Sequence, residues 1–151
     1  MYTAVLTIHS WMRWITVLLA FAATANAFRA HTTVGRLPGK AWDTVFMAAI
    51  DLQVLIGLFL YFGLSPFTVE AMNNMSAAMR NPGLRFWAVE HAFGMFVVMA
   101  LVRMGRIMAA NAKTAASQRN RRLICFVLAT LVMLASIPWP GTVAGRPLFR
   151  F

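Results

Sequence analysis

Cysteine is almost missing from this chain of 151 residues, and the single one, Cys125, excludes an internal disulfide. The same scarcity leaves no Cys-x-x-Cys-His string, so a covalently attached c-type haem is excluded as well. Charge is scarce too. Charged residues make up 12% of the chain against 60% hydrophobic, a balance too apolar for a soluble domain and, at this length, enough for a single membrane bundle. No nucleophile–base pair, phosphate-binding glycine loop or substrate pocket can be picked out, which argues against an independent enzyme. The formal charge of +10 raises nucleic acid as a partner. Its Lys and Arg sit between the apolar runs, however, where membrane topology accounts for them, and nucleic acid is set aside.

What the sequence does have is four apolar runs, at about 4–28, 42–64, 84–106 and 122–138. About 20 residues at 1.5 Å rise cross roughly 30 Å of hydrocarbon, so these runs predict an all-α integral membrane fold, an up-and-down bundle of four transmembrane helices in one domain. Ala25-Asn26-Ala27 has the form of a signal-peptide cleavage site, but Arg13 lies mid-run with apolar residues on both sides, and helix 1 is read as a retained span. The connection from Arg29 to Lys40 is basic and broken by Gly35, Pro38 and Gly39, with His31 a solvated loop histidine. From Ser65 to Gly83 the chain is polar, opening with Ser65-Pro66 and closing with Asn81-Pro82-Gly83. Val69, Met72, Met75 or Ser76, and Met79 recur there at helical spacing, which predicts a short amphipathic helix on the membrane surface between helices 2 and 3. Pro138-Trp139-Pro140-Gly141 stops helix 4, and the tail from Thr142 to Phe151 is expected to lie extended along the headgroups or a partner.

The connections after helices 1 and 3 share one side and hold Arg29, Arg36, Lys40, Arg103, Arg106, Lys113, Arg119, Arg121 and Arg122; the other side holds Arg80, Arg85, Arg146 and Arg150. The positive-inside rule then places both termini outside the cytoplasm, in the periplasm for a bacterial inner membrane. Trp11, Trp14, Trp87 and Trp139 fall toward that outer interface as an aromatic belt.

Ionisable residues inside these spans are costly and mark candidate sites. Helix 3 carries Glu90-His91. On helix 1, His9, Arg13, Thr16, Ala20, Thr24 and Ala27 form one narrow stripe at about 100° per residue, which should look into the bundle. Asp51 and Gln53 of helix 2 lie about 200° apart on the wheel, so one addresses the bundle and the other its far side. Helices 1 and 3 run in the same direction, and both histidines lie roughly 8 to 10 Å below the outer interface. Being diagonal in a four-helix bundle, those helices can clamp one b-type haem between His9 and His91, a ligation that suits electron transfer because no coordination position stays open. Arg85, nearer the surface, is placed for a haem propionate. Arg13 is expected to pair with Asp51 or Glu90, and Glu90 alternatively orients a histidine through its ring N–H.

The same residues permit other readings. His9, Asp51, Glu90 and His91 would make a direct metal site if Asp51 rose to the histidine layer, and the methionines of the surface helix are soft copper ligands. A polar layer that only pins helices together is the third possibility, suited to a cofactor-free accessory subunit of a respiratory or photosynthetic complex with an exposed Gln53, the surface helix and the tail as docking features.

The strings Ile8-His9-Ser10-Trp11-Met12-Arg13-Trp14, Asp51-Leu52-Gln53 with Gly57 to Phe62, Arg85-Phe86-Trp87-Ala88-Val89-Glu90-His91, Gly105-Arg106 and Ile137-Pro138-Trp139-Pro140 resemble small four-span bacterial membrane proteins labelled cytochrome b-like. The resemblance covers nearly the whole chain and places His9 and His91 inside the shared strings. That favours a shared site over accident, and with the histidine geometry the chain is read as a haem b protein of the inner membrane that passes electrons beside a larger membrane complex, with a quinone or a periplasmic electron carrier as partner. Larger cytochrome b proteins hold two haems with four histidines. With only two intramembrane histidines, this chain lacks the haem of the cytoplasmic half.

Overall fold

The computed structural model of the chain describes residues 1–29 and 40–150, and within them every regular element is helical. The interior of the basic connection, with His31, Gly35, Arg36, Pro38 and Gly39, lies outside the described residues, as does Phe151. Helix α1 is Tyr2–Arg29 and α2 is Lys40–Phe59, continued by a π-helical segment, Leu60–Leu64. Two short helices follow, α3 (Pro66–Asn73) and α4 (Met75–Arg80). The one-turn α5 (Pro82–Arg85) runs through a second π-helical segment, Phe86–Glu90, into α6 (His91–Ala110), and α7 is Ala115–Ala135. Three helical stretches are long and apolar enough to cross a membrane: Tyr2–Arg29, Ala41–Leu64 and Pro82–Ala110. The chain therefore has the character of a multi-pass membrane protein in a lipid bilayer. Helix α7 is long as well, but its first two turns carry Arg119, Arg121 and Arg122.

The four long helices close a ring in which α1 packs on α2, α2 on α6, α6 on α7 and α7 on α1, leaving α1 and α6 across the diagonal. The stripe on α1 turns inward as its small residues require, with Thr16, Ala20 and Ala27 buried. On α2 and the π-helical segment that continues it, the inward face is Asp43, Phe46, Ile50, Gln53 and Leu60, a spacing of threes, fours and one seven that keeps one side of the helix against its neighbours. Phe46 meets Phe126 edge to face at 5.9 Å, beside the buried Val98 and Val102. Helix α6 meets α7 and the residue after it closely where α6 has no side chain. A Cβ on Gly105 would lie 2.7 Å from the Cβ of Cys125, and one on Gly94 would collide with Ser136.

Between α2 and α6 the single expected surface helix is two helices. Asn74 leaves helical backbone geometry and its side chain accepts the Ala77 N–H at 3.0 Å, starting α4 afresh. Asn81 repeats the device for α5, accepting from Gly83 and Leu84, with Pro82 at the first helical position. Ala71, Ala78 and Ala88 hold this corner to the bundle. Val69, Met72 and Met75 point away from it.

The tail does not run off extended. It turns at Gly141, whose φ of +87° favours glycine, and folds back over the end of α1. Trp14 Nε1 donates to Leu148 O and Trp11 Nε1 to Arg150 O, both at 2.9 Å, while Phe149 packs against both indoles.

The far end of the bundle is tied by a charge pair that hydropathy does not single out. Arg122 donates to Asp43 at 2.7 Å, and the side chains are 2% and 1% exposed. Asn26 Oδ1 accepts a further bond from Arg122 at 3.1 Å. The cluster joins α1, α2 and α7, with both charges paired as burial demands.

Candidate functional site between two histidines

Across the diagonal from each other, α1 and α6 leave a cavity of about 120 Å³ within some 1160 Å³ of empty space that runs out through its mouth. Its walls are mostly apolar, and His9 and His91 both line it. Their ring centroids are 6.3 Å apart with the planes at 75°, so residues 82 positions apart in sequence meet in one layer. The π-helical segments flank the site. Ser65 N–H reaches back to Leu60 O at 2.8 Å, and His91 N–H to Phe86 O, so each chain enters or leaves the site with one extra residue in its turn.

Each imidazole is oriented by one partner. His91 Nδ1 lies 2.7 Å from Ser136 O, and since a carbonyl only accepts, Nδ1 carries the proton and Nε2 keeps its lone pair. The bare Gly94 lets that segment come close enough to make the contact. Gln53 Nε2 is 3.2 Å from His9 Nε2 and 3.1 Å from the His9 carbonyl. His9 Nδ1 and Gln53 Oε1 are buried without a hydrogen-bond partner. A Cβ on Gly57 would sit 3.2 Å from His9 Cε1, a tight contact that the bare glycine avoids. Phe86 and Trp87 pack against His91, with ring centroids at 5.8 and 5.7 Å.

The remaining predicted residues are arranged otherwise. Arg13 pairs with neither Asp51 nor Glu90; its Nη2 donates to Leu148 O at 2.6 Å, because the folded-back tail brings a carbonyl to it. Asp51 is the outward member of its pair on α2, bound to Arg103 at 2.6 Å and half-exposed. Arg103 is thus a helical residue with an acidic partner. Gln53 is the inward member, 4% exposed, which corrects its reading as a surface docking group. Glu90 orients no histidine: one position before His91, it points out of the bundle and takes Arg85 Nε at 2.6 Å, both half-exposed. That bond occupies Arg85, which does not line the cavity. His9, Asp51, Glu90 and His91 therefore do not converge as a direct metal site, and among the described residues no three of His, Cys, Asp and Glu do.

Residues that the sequence reading passed over complete the walls. Arg146 and Arg150 from the tail line the cavity with Arg13. Tyr61 donates to Ala88 O at 2.7 Å and Thr68 to Tyr61 O at 2.6 Å, locking α3 to the π-helical segments. The 3-4 spacing of Asp43, Phe46, Ile50, Gln53, Gly57 and Leu60 was a signal for Gln53. Nothing local in the sequence marks the two tail arginines.

Comparison of the chain with protein-family models, with curated proteins and with solved structures finds no match in any of the three.

Proposed function

We propose that this chain is a membrane-embedded b-type haem protein, an electron-transfer component in which His9 and His91 would hold the iron. The observation that carries the reading is the meeting of two imidazoles from diagonal helices in one cavity, 6.3 Å apart. The donor set fits the group. His91 presents Nε2, with Nδ1–H fixed on Ser136 O, the arrangement that sets tautomer and ring angle in metal-bound histidines. At His9 the buried Nδ1 is the ring nitrogen that no protein group engages, and Gln53 holds the other. Bound there, a haem supplies one-electron chemistry with no open position for substrate.

The membrane arrangement belongs to the same proposal. Helix α7 with Ser136 and Ile137 serves as a fourth, short span, and α3 and α4 lie in the outer interface with Val69, Met72 and Met75 facing lipid. Both termini are periplasmic in a bacterial inner membrane, and a site near one face exchanges electrons with a quinone or a periplasmic carrier beside a larger complex.

The test is haem content after mild purification. We expect one haem per chain in the wild type and almost none in His9→Ala or His91→Ala, with unchanged helix content. Haem-free, metal-free wild type that cannot be loaded would sink the reading. It would favour the cofactor-free accessory subunit, for which the specific observation is that both histidines already bridge elements through Gln53 and Ser136.

A further inference from the structure

The cavity has a chemically distinct end. Arg13, Arg146 and Arg150 all line it, and among the described residues no Asp or Glu does. Arg13 spends one Nη2 hydrogen bond on a backbone carbonyl, while its Nε is buried without a partner. The Arg146 guanidinium lies over the faces of Phe67 and Trp87, 4.5 and 5.3 Å from their centroids, an attraction that leaves its N–H groups to bond elsewhere. None of the three makes a salt bridge to a carboxylate among the described residues, whereas Arg85, Arg103 and Arg122 each do. Three like charges brought to one cavity repel, and a fold that keeps them together is completed by an anion. The main chain of the two tail arginines is tied down there: the Arg146 backbone N–H donates to Pro138 O at 3.1 Å, and Arg150 O accepts from Trp11 Nε1.

We propose that residues 138–150 form a strap across the cavity mouth and that its Arg146 and Arg150, with Arg13, bind the acid groups of a ligand whose apolar body lies inside. Guanidinium is suited to this because its fork matches a carboxylate in two parallel hydrogen bonds. For the name of the ligand the inference rests on the haem reading: the occupants are then the propionates of a tetrapyrrole, taken by the tail arginines and not by Arg85. The acid-binding end itself stands on the arginines alone.

The test uses the full chain in detergent, titrated with haem and with haem dimethyl ester and read by quenching of tryptophan fluorescence, since Trp87 lines the cavity. We expect the free acid to bind about tenfold tighter than the ester, the worth of one charge-assisted bond. The Arg146→Gln/Arg150→Gln variant should lose that preference and the Lys/Lys variant regain part of it, with the histidine-dependent visible spectrum of bound haem unchanged. The wild-type comparison of acid with ester does not depend on how any variant folds. Equal binding of acid and ester overturns the acid site and leaves the haem reading intact. If neither binds, the haem reading fails, and cis-parinaric acid against its methyl ester decides the site: a preference for the acid that is lost in the Gln/Gln variant upholds it with a lipid acid as occupant, and no preference overturns it.

Discussion

The chemistry of this chain rests on a few side chains whose partners decide what they can do. His91 has its tautomer set by Ser136 O, and the His9 ring lies close over Gly57, where a Cβ would come within 3.2 Å of Cε1. Gly57→Val should crowd the His9 ring and lower haem retention severalfold while leaving the helices formed; haem titration beside a far-ultraviolet spectrum checks this. At the other end, Asp43→Ala would strand the buried guanidinium of Arg122, a loss on the order of 3 kcal/mol for breaking a buried pair. We expect a clear drop in the unfolding midpoint in detergent, and a smaller one in an Asp43→Leu/Arg122→Leu double variant that removes both charges. The histidines were legible in the sequence because an ionisable group inside an apolar run is conspicuous. The partners of Arg13 and Glu90 were not. Arg13 reaches a backbone carbonyl 135 residues away and Glu90 an arginine five residues back, and spacing along one helix reports neither.

Elements follow from spacing more faithfully than pairs do. The stripe of small residues on α1 named its inward face, and the 3-4 rhythm of α2 selects Gln53 over Asp51 once the buried Phe46 and Ile50 fix the register. The break at Asn74 was harder to read, since the methionine periodicity runs on across it and only the capping side chain reveals a new start. Contact between α6 and α7 depends on Gly94 and Gly105. Gly105→Leu should force them apart and cost roughly 1 to 3 kcal/mol by overpacking. Because Ser136 follows directly on α7, we also expect weaker haem binding from that variant, 14 residues distant in sequence from His91, which a titration would register.

At the scale of the molecule, hydropathy marks four apolar runs, three of which are helices long and apolar enough to cross a membrane, and the ring of four long helices puts the first and third runs on a diagonal, which is why two distant histidines meet. The strap was invisible to the same reasoning, because a short polar tail has no periodicity and its docking rests on the tryptophans of α1. Topology is open to direct test in a Cys125→Ser background. Ser76→Cys should react with an impermeant maleimide in intact cells and Lys113→Cys only after permeabilisation; the reverse pattern would refute periplasmic termini. The central claim is the haem held between His9 and His91. Its most direct test is the reduced-minus-oxidised visible spectrum of purified protein supplied with haem: we predict a sharp b-type α-band that disappears in His9→Ala and in His91→Ala, and a featureless difference spectrum from the folded wild type would contradict it.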